Sequence, residues 1–363
     1  MPSSKKEWTV AGLMSGTSLD GLDMAICRFR KNGNKWSYKI VEATTVSYSS
    51  TMKNKLALLM SVNAQEFASM DASFGKFSGE QLKKFLSQKK LRVDLIASHG
   101  HTIFHQPEKG FTTQIGNGAY IAAAARVPVV SDFRTMDVAL GGQGAPLVPI
   151  GDKLLFSEYD YCLNLGGIAN ISFDSNKKRI AGDICPVNIL LNKLAEEKGF
   201  GFDKDGKMAA KGIVNQVLLK KLNNLSFYKK KFPKSLGREW IDKDVFPILT
   251  NSVLSTEDKL ATVCEHIAFQ IIAAMPSEKG TKLLVTGGGA LNKYLVSRIA
   301  KHAGNSTKII VPDTLTISFK EALIFAFLGL KRILGEPNAL SNVTGASKDS
   351  VGGALYGEVN FKL

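Results

Sequence analysis

A strand–turn–strand unit that occurs twice is the feature that most constrains the fold of this chain. Near the N-terminus, two β-rich runs flank the turn SGTSLDG of residues 15–21. The pattern returns in YDYCLNLGGIANISFD, residues 159–174. Apolar residues at helical spacing follow each copy. Such a repeat predicts two related α/β domains with a cleft between them rather than a solenoid.

Length and composition fit two domains. The chain has 363 residues, 44% hydrophobic and 22% charged, which is typical of globular proteins. We expect domain I to cover residues 1–130 together with about 345–363, and domain II to cover residues 131–344. The run VDLIASHG, residues 93–100, predicts a strand ending in a loop. The apolar run of residues 318–335 predicts a helix that stops at Gly335.

Several protein classes are excluded at this level. No apolar run reaches 18 residues, so we expect no transmembrane helix. The start MPSSKKEWTV lacks the apolar segment of a signal peptide, which predicts a cytoplasmic protein. Cys27, Cys162 and Cys264 lie in apolar segments without a CxxC pair, so we expect them in the core.

The net charge of +15 leaves two interpretations open. Lysine clusters such as FYKKKFPK, residues 227–234, could bind nucleic acid or another polyanion, or could form a solvated basic surface. No zinc knuckle, RNP-like aromatic segment or helix-turn-helix pattern accompanies the lysines. We therefore expect no nucleic-acid partner.

The glycine turns suit an anionic ligand. The first one offers backbone N–H groups and hydroxyls to a phosphate, although a plain hairpin turn is the alternative. It is not a P-loop, because GxxxxGK[ST] is absent and a strand follows, and GxGxxG is absent too. The second turn, NLGGIAN of residues 164–170, could clamp the same phosphate chain from the other side. A third, TGGGALN of residues 286–292, could hold a base and ribose.

These features resemble the sugar kinase/Hsp70/actin superfamily and, within it, the anhydro-N-acetylmuramic acid kinase family. The matching stretches run in family order through the chain: GLMSGTSLDGLD (12–23), SHGHT (98–102), SDFRTMDVALGGQGAPLVP (131–149), LNLGGIANIS (163–172), DKDG (203–206), PKSLGRE (233–239), TGGGALN (286–292) and KEALIFAF (320–327).

The resemblance implies two RNase H-like domains of the actin-like ATPase fold around a central cleft. It implies a kinase that uses ATP and Mg²⁺ to phosphorylate 1,6-anhydro-N-acetylmuramic acid while water opens the anhydro ring, giving N-acetylmuramic acid 6-phosphate. Such a kinase serves peptidoglycan recycling and amino-sugar metabolism, and a homodimer is expected. Its partners would be the amino sugar and ATP, without a membrane.

The expected nucleotide contacts come from all three turns. Asp20 is also expected to hold Mg²⁺ through water, with a turn or capping role as the alternative. For the ATP phosphates we expect Gly16, Thr17, Ser18, Leu19, Asp20, Gly21, Leu22, Asp23, Asn164, Gly166 and Gly167, and for adenosine Gly287, Gly288, Gly289 and Asn292.

Asp183 is the expected catalytic base. It lies in RIAGDICPVNILLN at a predicted strand end before a helix, where a carboxylate can accept a proton; a helix-capping or turn role is the alternative. The family motif resembles DTGPGN, whereas this chain has DICPVN. The departures at Ile184, Cys185 and Val187 change backbone freedom and hydroxyl supply beside the base. Cys185 fits packing better than a nucleophilic role.

The remaining expectations concern the sugar. His99, His101 and His105 could contact the sugar, hold a metal or be structural. Arg134 could bind the lactyl carboxylate or form a structural ion-pair group with Asp132 and Asp137. Glu321 could face the sugar or interact with a helix dipole. The expected substrate contacts are His99, Thr102, Arg134, Asp137, Asn188 and Glu321.

Two other functions remain possible from the sequence. A related sugar or acid kinase would use a plain hydroxyl acceptor, and no water would enter its product. A filament- or chaperone-type nucleotide switch would need a self-assembly surface or an added peptide-binding domain, and the chain has no residues left for the latter.

Overall fold

A computed structural model describes residues 6–16, 19–276 and 279–359 of the chain. Two of the expected phosphate contacts, Thr17 and Ser18, lie outside these residues. The strands of the described chain are β1 (Glu7–Ser15), β2 (Gly21–Asn32), β3 (Lys35–Ser47), β4 (Leu95–Gln106), β5 (Phe111–Ile115), β6 (Val129–Ser131), β7 (Tyr161–Leu165), β8 (Ile168–Ser175), β9 (Lys178–Pro186), β10 (Thr281–Thr286), β11 (Thr307–Ile310) and β12 (Ala354–Tyr356).

Helices follow the strand groups, and short 3₁₀ turns such as Ser226–Lys229 and Gly288–Leu291 join them. In the described residues, no helix is long and apolar enough to cross a bilayer. The α-helices are α1 (Ser50–Leu58), α2 (Ala64–Lys89), α3 (Gly118–Ala125), α4 (Thr135–Ala139), α5 (Val148–Leu155), α6 (Asn188–Glu196), α7 (Gln216–Asn223), α8 (Arg238–Trp240), α9 (Phe246–Thr250), α10 (Thr256–Ala273), α11 (Lys293–Ala303), α12 (Thr314–Ile333) and α13 (Ser341–Thr344).

The chain divides into two compact units. Unit 1 comprises residues 1–155 and 319–363, and unit 2 comprises residues 156–318. These divisions differ from the expected ones near 130 and 345. The physical reason lies in the packing of unit 1, where α5 contacts β3. A Cβ added at Gly12 on β1 would lie 1.9 Å from the carbonyl oxygen of Ala322, so α12 packs directly on that strand.

Both units contain the same sheet topology. The order β3-β2-β1-β4-β6 in unit 1 corresponds to β9-β8-β7-β10-β11 in unit 2. In each unit the first three strands pair antiparallel, and the next two join in parallel. Unit 1 adds β5 and β12. The prediction of two related α/β domains of RNase H-like topology is therefore confirmed.

Helices cover the sheets with apolar faces. In unit 1, α2 begins at an Asn63 cap and packs Phe74 and Leu82 against the sheet. In unit 2, buried apolar residues of α10 such as Leu260 and Ile267 join one core cluster with residues of β7, β8 and β9. Alternate residues of a strand point to opposite faces, so Tyr161, Leu163 and Leu165 of β7 enter the core, whereas Cys162 and Asn164 lie on the other face. The four cysteines are buried, as predicted for three of them.

One strand prediction was wrong and one helix end was right. The strand predicted to end at Gly100 continues, because β5 pairs antiparallel with the second half of β4. Gly100 takes a φ of +74° inside that strand. The helix predicted to stop at Gly335 ends at Ile333, and Gly335 follows with a left-handed φ of +68°.

Candidate active site

The first glycine turn joins β1 and β2 as a hairpin, in which Ser15 pairs with Leu22. The backbone N–H of Leu19, a residue with a φ of +58°, donates to the carbonyl of Gly16 at 3.3 Å. Gly21 has no room for a Cβ, which would lie 2.5 Å from the carbonyl oxygen of Val46. The Leu22 side chain is buried in the core, so only its backbone is available to a ligand.

Two carboxylates lie at the end of this turn: Asp20 is within it, and Asp23 is just after it on β2. Asp20 is exposed, and Asp23 is half-buried and accepts a 2.5 Å hydrogen bond from the hydroxyl of Thr45. Burial raises the pKa of Asp23; the Thr45 hydrogen bond lowers it, and the negative charge of Asp20 raises it further. Mg²⁺ is usually bound through oxygen ligands that include one or two carboxylates, so Asp20 and Asp23 fit this ion.

A buried polar chain lies directly beneath the turn. The Tyr48 hydroxyl donates to Ser15 Oγ at 2.7 Å, and Ser15 Oγ lies 2.9 Å from His101 Nδ1. Ser15 and His101 face each other in the parallel pairing of β1 and β4. Burial lowers the pKa of His101 despite this hydrogen bond, so the ring is neutral at pH 7. Sequence reasoning missed this chain because its members are far apart in sequence.

His99 and Arg134 form a close pair in unit 1. The guanidinium donates to His99 Nε2 from Nε at 3.1 Å and from Nη2 at 2.9 Å, and from Nη1 to the carbonyl of Gly144 at 2.7 Å. The other ring nitrogen donates to the carbonyl of Gly100 at 3.0 Å. Both ring nitrogens of His99 are therefore occupied, whereas two of the five guanidinium N–H groups donate to no acceptor among the residues that the structure describes.

The electrostatics of this pair follow from the same contacts. Burial, and then the charge of Arg134, hold the pKa of His99 well below its usual range. Burial lowers the pKa of Arg134 to about 10, against the opposing effects of Glu321 and Asp137. The pair is thus a neutral imidazole that orients a charged guanidinium.

Both carboxylate oxygens of Asp137 accept hydrogen bonds within unit 1. Its Oδ2 accepts from the N–H of Gly144 at 2.8 Å, and its Oδ1 accepts from the Thr344 hydroxyl at 2.7 Å. A Cβ at Gly142 would lie 2.3 Å from Oδ2. The carboxylate therefore shapes the loop that also holds Arg134. Its expected sugar contact stays a prediction.

Glu321 lies two turns inside α12, which begins at Thr314. The dipole interpretation is wrong, because that effect is confined to the first turn. Desolvation raises the pKa of Glu321, and the charges of Arg134 and Lys320 oppose the rise. Lys320 is buried and forms a 2.7 Å ion pair with the buried Asp152, which fixes this part of the helix.

The histidines of β4 do not share one ligand position. His101 contacts Ser15, His99 contacts Arg134, and His105 Nδ1 lies 3.1 Å from the hydroxyl of Thr112. Within residues 6–16, 19–276 and 279–359, no group of three or more His, Cys, Asp or Glu could hold a metal ion. The metal interpretation of these histidines therefore has no support. Thr102 is half-buried and pairs with Gln114 of β5.

In unit 2, the second glycine turn rests on the start of α6. The carbonyl of Gly167 accepts from Val187 N at 2.8 Å, and the carbonyl of Gly166 accepts from Asn188 N at 3.2 Å. The Asn188 side-chain amide donates to the carbonyl of Leu165 at 3.1 Å. A Cβ at Gly166 would make only ordinary contacts, at 3.4 Å or more. Among the described residues of unit 2, no close contact of a Cβ therefore requires glycine at this position.

The third turn packs against the second. Gly287 has a φ of +80°, and a Cβ there would lie 2.5 Å from Asn164 Oδ1. At Gly289 a Cβ would lie 2.7 Å from the Cβ of Leu165, whereas at Gly288 it would make an ordinary contact, 3.7 Å from Asn188 Nδ2. Asn292 caps α11 by accepting from Leu295 N at 2.9 Å. The expected phosphate and adenosine residues of unit 2 are thus brought together.

Asp183 lies on β9, next to these turns. Its register partner is Asn170, which in turn faces Asn164, so three polar residues form a row across β9, β8 and β7. Its Oδ2 accepts from Leu236 N at 2.9 Å and from Ser235 Oγ at 3.2 Å. Burial raises the pKa of Asp183, and these two hydrogen bonds oppose the rise.

The capping alternative for Asp183 is wrong, since α6 has Val187 at its N-cap and no side-chain cap. Sequence reasoning missed Asn170, Ser235 and Leu236. The stretch PKSLGRE matches the family, but its contact with Asp183 has no local signal in the sequence. For Asn170, the strand register could have provided one.

The departures from the family motif point away from the polar row. Ile184, Cys185 and Val187 are all fully buried in the core of unit 2. Burial raises the pKa of the Cys185 thiol, which is therefore neutral and packed rather than nucleophilic. A bulge between β8 and β9 lets Ile184 and Cys185 both enter the core while Asp183 keeps its register with Asn170.

Known proteins similar to this chain share one description. A kinase from Sulfurimonas denitrificans described as anhydro-N-acetylmuramic acid kinase is 34% identical over 95% of this chain and 98% of its own length. One from Pseudomonas syringae pv. tomato with the same description is 36% identical over the same shares. Among solved structures, the activator of 2-hydroxyisocaproyl-CoA dehydratase from Clostridium difficile has a TM-score of 0.46 at 14% identity, covering 90% of this chain and 96% of its own, which is too distant to support an inference.

The family profile extends the match through both units. The anhydro-N-acetylmuramic acid kinase profile matches residues 8–358, from the start of β1 to beyond β12. That span includes all three glycine turns, Asp183 and Arg134. The chain belongs to the anhydro-N-acetylmuramic acid kinase family.

Proposed function

We propose that this kinase converts 1,6-anhydro-N-acetylmuramic acid, ATP and water into N-acetylmuramic acid 6-phosphate and ADP, as a step of peptidoglycan recycling. The family match over residues 8–358 is the observation that carries the proposal. The retained Asp183, with one carboxylate oxygen anchored by the protein, supports it. A plain hydroxyl acceptor is the second candidate, and no feature of the described residues favours it.

In the proposed reaction, Asp183 is the general base. A water molecule attacks C1 of the sugar and gives a proton to the carboxylate. The C1–O6 bond breaks, and O6 takes the γ-phosphoryl group as ADP leaves. A base works best when its pKa lies near the operating pH, and burial moves the pKa of Asp183 upward in that direction. Phosphoryl transfer itself needs mainly positioning and neutralisation of charge.

For ATP, we propose phosphate contacts from both glycine turns and adenosine contacts from residues 287–289 and Asn292. The described part of unit 2 has room for a Cβ at Gly166, yet the residue is glycine. Without a side chain the backbone can approach a phosphate closely, which supports phosphate binding at this turn. Asp20 and Asp23 would hold Mg²⁺, which neutralises phosphate charge when bound. These assignments are proposals on residues whose chemistry fits.

For the sugar, we propose that Arg134 binds the lactyl carboxylate with its two remaining N–H donors. His99 then acts by orienting Arg134 rather than by touching the sugar. Thr102, Asn188 and Glu321 remain proposed contacts. We also propose a cytoplasmic homodimer, for which light scattering coupled to gel filtration gives the mass.

The test uses the whole chain with ATP, Mg²⁺ and 1,6-anhydro-N-acetylmuramic acid in ¹⁸O-labelled water. Mass spectrometry of the sugar should show one added phosphoryl group and one labelled oxygen. A phosphorylated product without label would indicate the plain hydroxyl acceptor. No sugar product at all, with ATP still bound, would contradict the proposed substrate.

A further inference from the structure

We propose that Ser235 is a positioning residue for Asp183: it fixes carboxylate oxygen Oδ2 so that Oδ1 is the oxygen that takes the proton. This inference rests on the proposed function, because it concerns the same base. It concerns the segment of residues 227–236, which we name the latch.

The latch pairs with the free edge of the unit 2 sheet. β9 is the last strand of that sheet, so one of its edges is available. Asp183 N donates to the carbonyl of Lys234 at 2.8 Å, and Leu236 N returns a hydrogen bond to Asp183 Oδ2 at 2.9 Å. Ser235 Oγ, between them in sequence, donates to the same oxygen at 3.2 Å. Backbone and side chain thus converge on one oxygen.

The approach of the latch depends on a glycine. A Cβ at Gly182 would lie 2.6 Å from a ring carbon of Phe232 and 2.9 Å from the carbonyl oxygen of Lys234. Because that side chain is absent, the latch can lie against β9. The Phe232 ring also contacts Phe173 of β8, with centroids 6.0 Å apart.

A buried polar network anchors the other end of the latch. The Tyr228 hydroxyl donates to His266 Nε2 at 2.9 Å, and His266 Nδ1 donates to Asn223 Oδ1 at 2.6 Å. Burial lowers the pKa of His266 to about 3, so the imidazole stays neutral and keeps this arrangement at pH 7. The ammonium of Lys234 lies 4.7 Å from the ring centroid of Phe227, which ties the two ends together.

The two carboxylate oxygens of Asp183 have different hydrogen-bond partners. Oδ2 accepts two hydrogen bonds, which stabilise negative charge on it. In the part of the chain that the structure describes, no donor is recorded for Oδ1. A proton from water would therefore be taken at Oδ1, whose direction the latch fixes. A serine acting in this way need not touch substrate.

Two titratable groups near Asp183, Cys185 and Lys234, do not replace this hydrogen bond. The Cys185 thiol is neutral, because burial raises its pKa. Lys234 directs its ammonium to the Phe227 and Phe232 rings. Loss of the Ser235 hydroxyl removes a contact that favours the ionised carboxylate, so the pKa of Asp183 should rise.

The experiment compares Ser235→Ala with Ser235→Thr, which keeps the hydroxyl. The control is Ser61→Ala, an exposed serine of unit 1 whose hydroxyl bonds a backbone carbonyl. Carboxyl ¹³C NMR titration of the full chain follows Asp183, identified by the signal lost in Asp183→Asn. We expect the midpoint to rise by about 0.5 to 1 pH unit in Ser235→Ala alone.

Turnover supplies a second readout. The acidic limb of the kcat/KM profile should shift upward in Ser235→Ala by the same amount, with kcat/KM reduced about threefold to tenfold at neutral pH and restored in Ser235→Thr. An unchanged Asp183 midpoint in a folded Ser235→Ala protein would overturn the inference. If the wild-type protein gives no sugar product, the proposed function fails, but the titration still decides the role of Ser235.

Discussion

The two units place different chemistry on one topology. In unit 1, the turn between β1 and β2 lies over a buried polar chain and brings two carboxylates, Asp20 within the turn and Asp23 just after it. In unit 2, the turn between β7 and β8 is bare glycine, held by the start of α6, with Asp183 nearby on β9. A duplicated hairpin therefore does not imply duplicated roles. Each copy can be tested separately.

The largest effect is expected at Asp183. Asp183→Asn keeps the shape and loses the base, so kcat should fall by about 10³-fold while ATP affinity stays unchanged. Calorimetry measures ATP binding, and product formation gives kcat. The matched control is Asp174→Asn on the same sheet, whose exposed carboxylate lies 3.5 Å from Arg179. Near-normal turnover of Asp183→Asn would exclude this residue as the base.

The next test separates ligand contact from folding at the second turn. Gly166→Ala adds a Cβ that meets only ordinary contacts in the protein, so the melting temperature should stay within a few degrees. If phosphate occupies the space above the glycine, ATP affinity should fall about 10- to 100-fold. Gly201→Ala, where a Cβ meets no atom within 4 Å, is the control. Equal ATP affinities of both variants would argue against phosphate binding at this turn.

The sequence was sufficient for the parts that depend on local pattern. The repeated strand–turn–strand units predicted two related domains, because alternation and glycine turns are properties of neighbouring residues. Contacts between distant positions could not be predicted from the sequence. The hydroxyl of Ser235 contacts Asp183, 52 residues away, and His101 contacts Ser15, 86 residues away. The burial of Ile184 could not be read either, because it depends on a bulge.

Substitution of Arg134 tests the sugar contact that is proposed for unit 1. Arg134→Ala should raise KM about tenfold for the muramic substrate and much less for 1,6-anhydro-N-acetylglucosamine, which lacks the lactyl carboxylate. Steady-state kinetics with both sugars measures the ratio. Arg28→Ala, an exposed arginine of the same unit, should leave both values unchanged. Equal increases for the two sugars would show that Arg134 does not recognise this carboxylate.

The smallest effect concerns one neutral buried histidine in each unit. The pKa of His99 in unit 1 lies well below its usual value, and burial lowers that of His266 in unit 2 to about 3. Below pH 6.5 the unfolded chain binds protons at these positions that the native protein excludes. Stability should therefore fall as the pH drops from 6.5, by at most about 1.4 kcal/mol per pH unit for each histidine.

The tryptophans allow this loss to be assigned to a unit. Trp8 and Trp36 lie in unit 1, whereas Trp240 lies in unit 2 and contacts Tyr228. Urea unfolding of ¹⁹F-tryptophan protein at pH 7.5, 6.5 and 5.5 follows each unit by its own signals. His266→Gln should reduce the pH dependence reported by Trp240, and His99→Gln that reported by Trp8 and Trp36. If both variants keep the wild-type slope, the acid sensitivity arises from groups other than these histidines. If either variant changes all three signals together, the two units unfold as one cooperative structure. Each histidine then affects the stability of both units, although the chemistry of the two units differs.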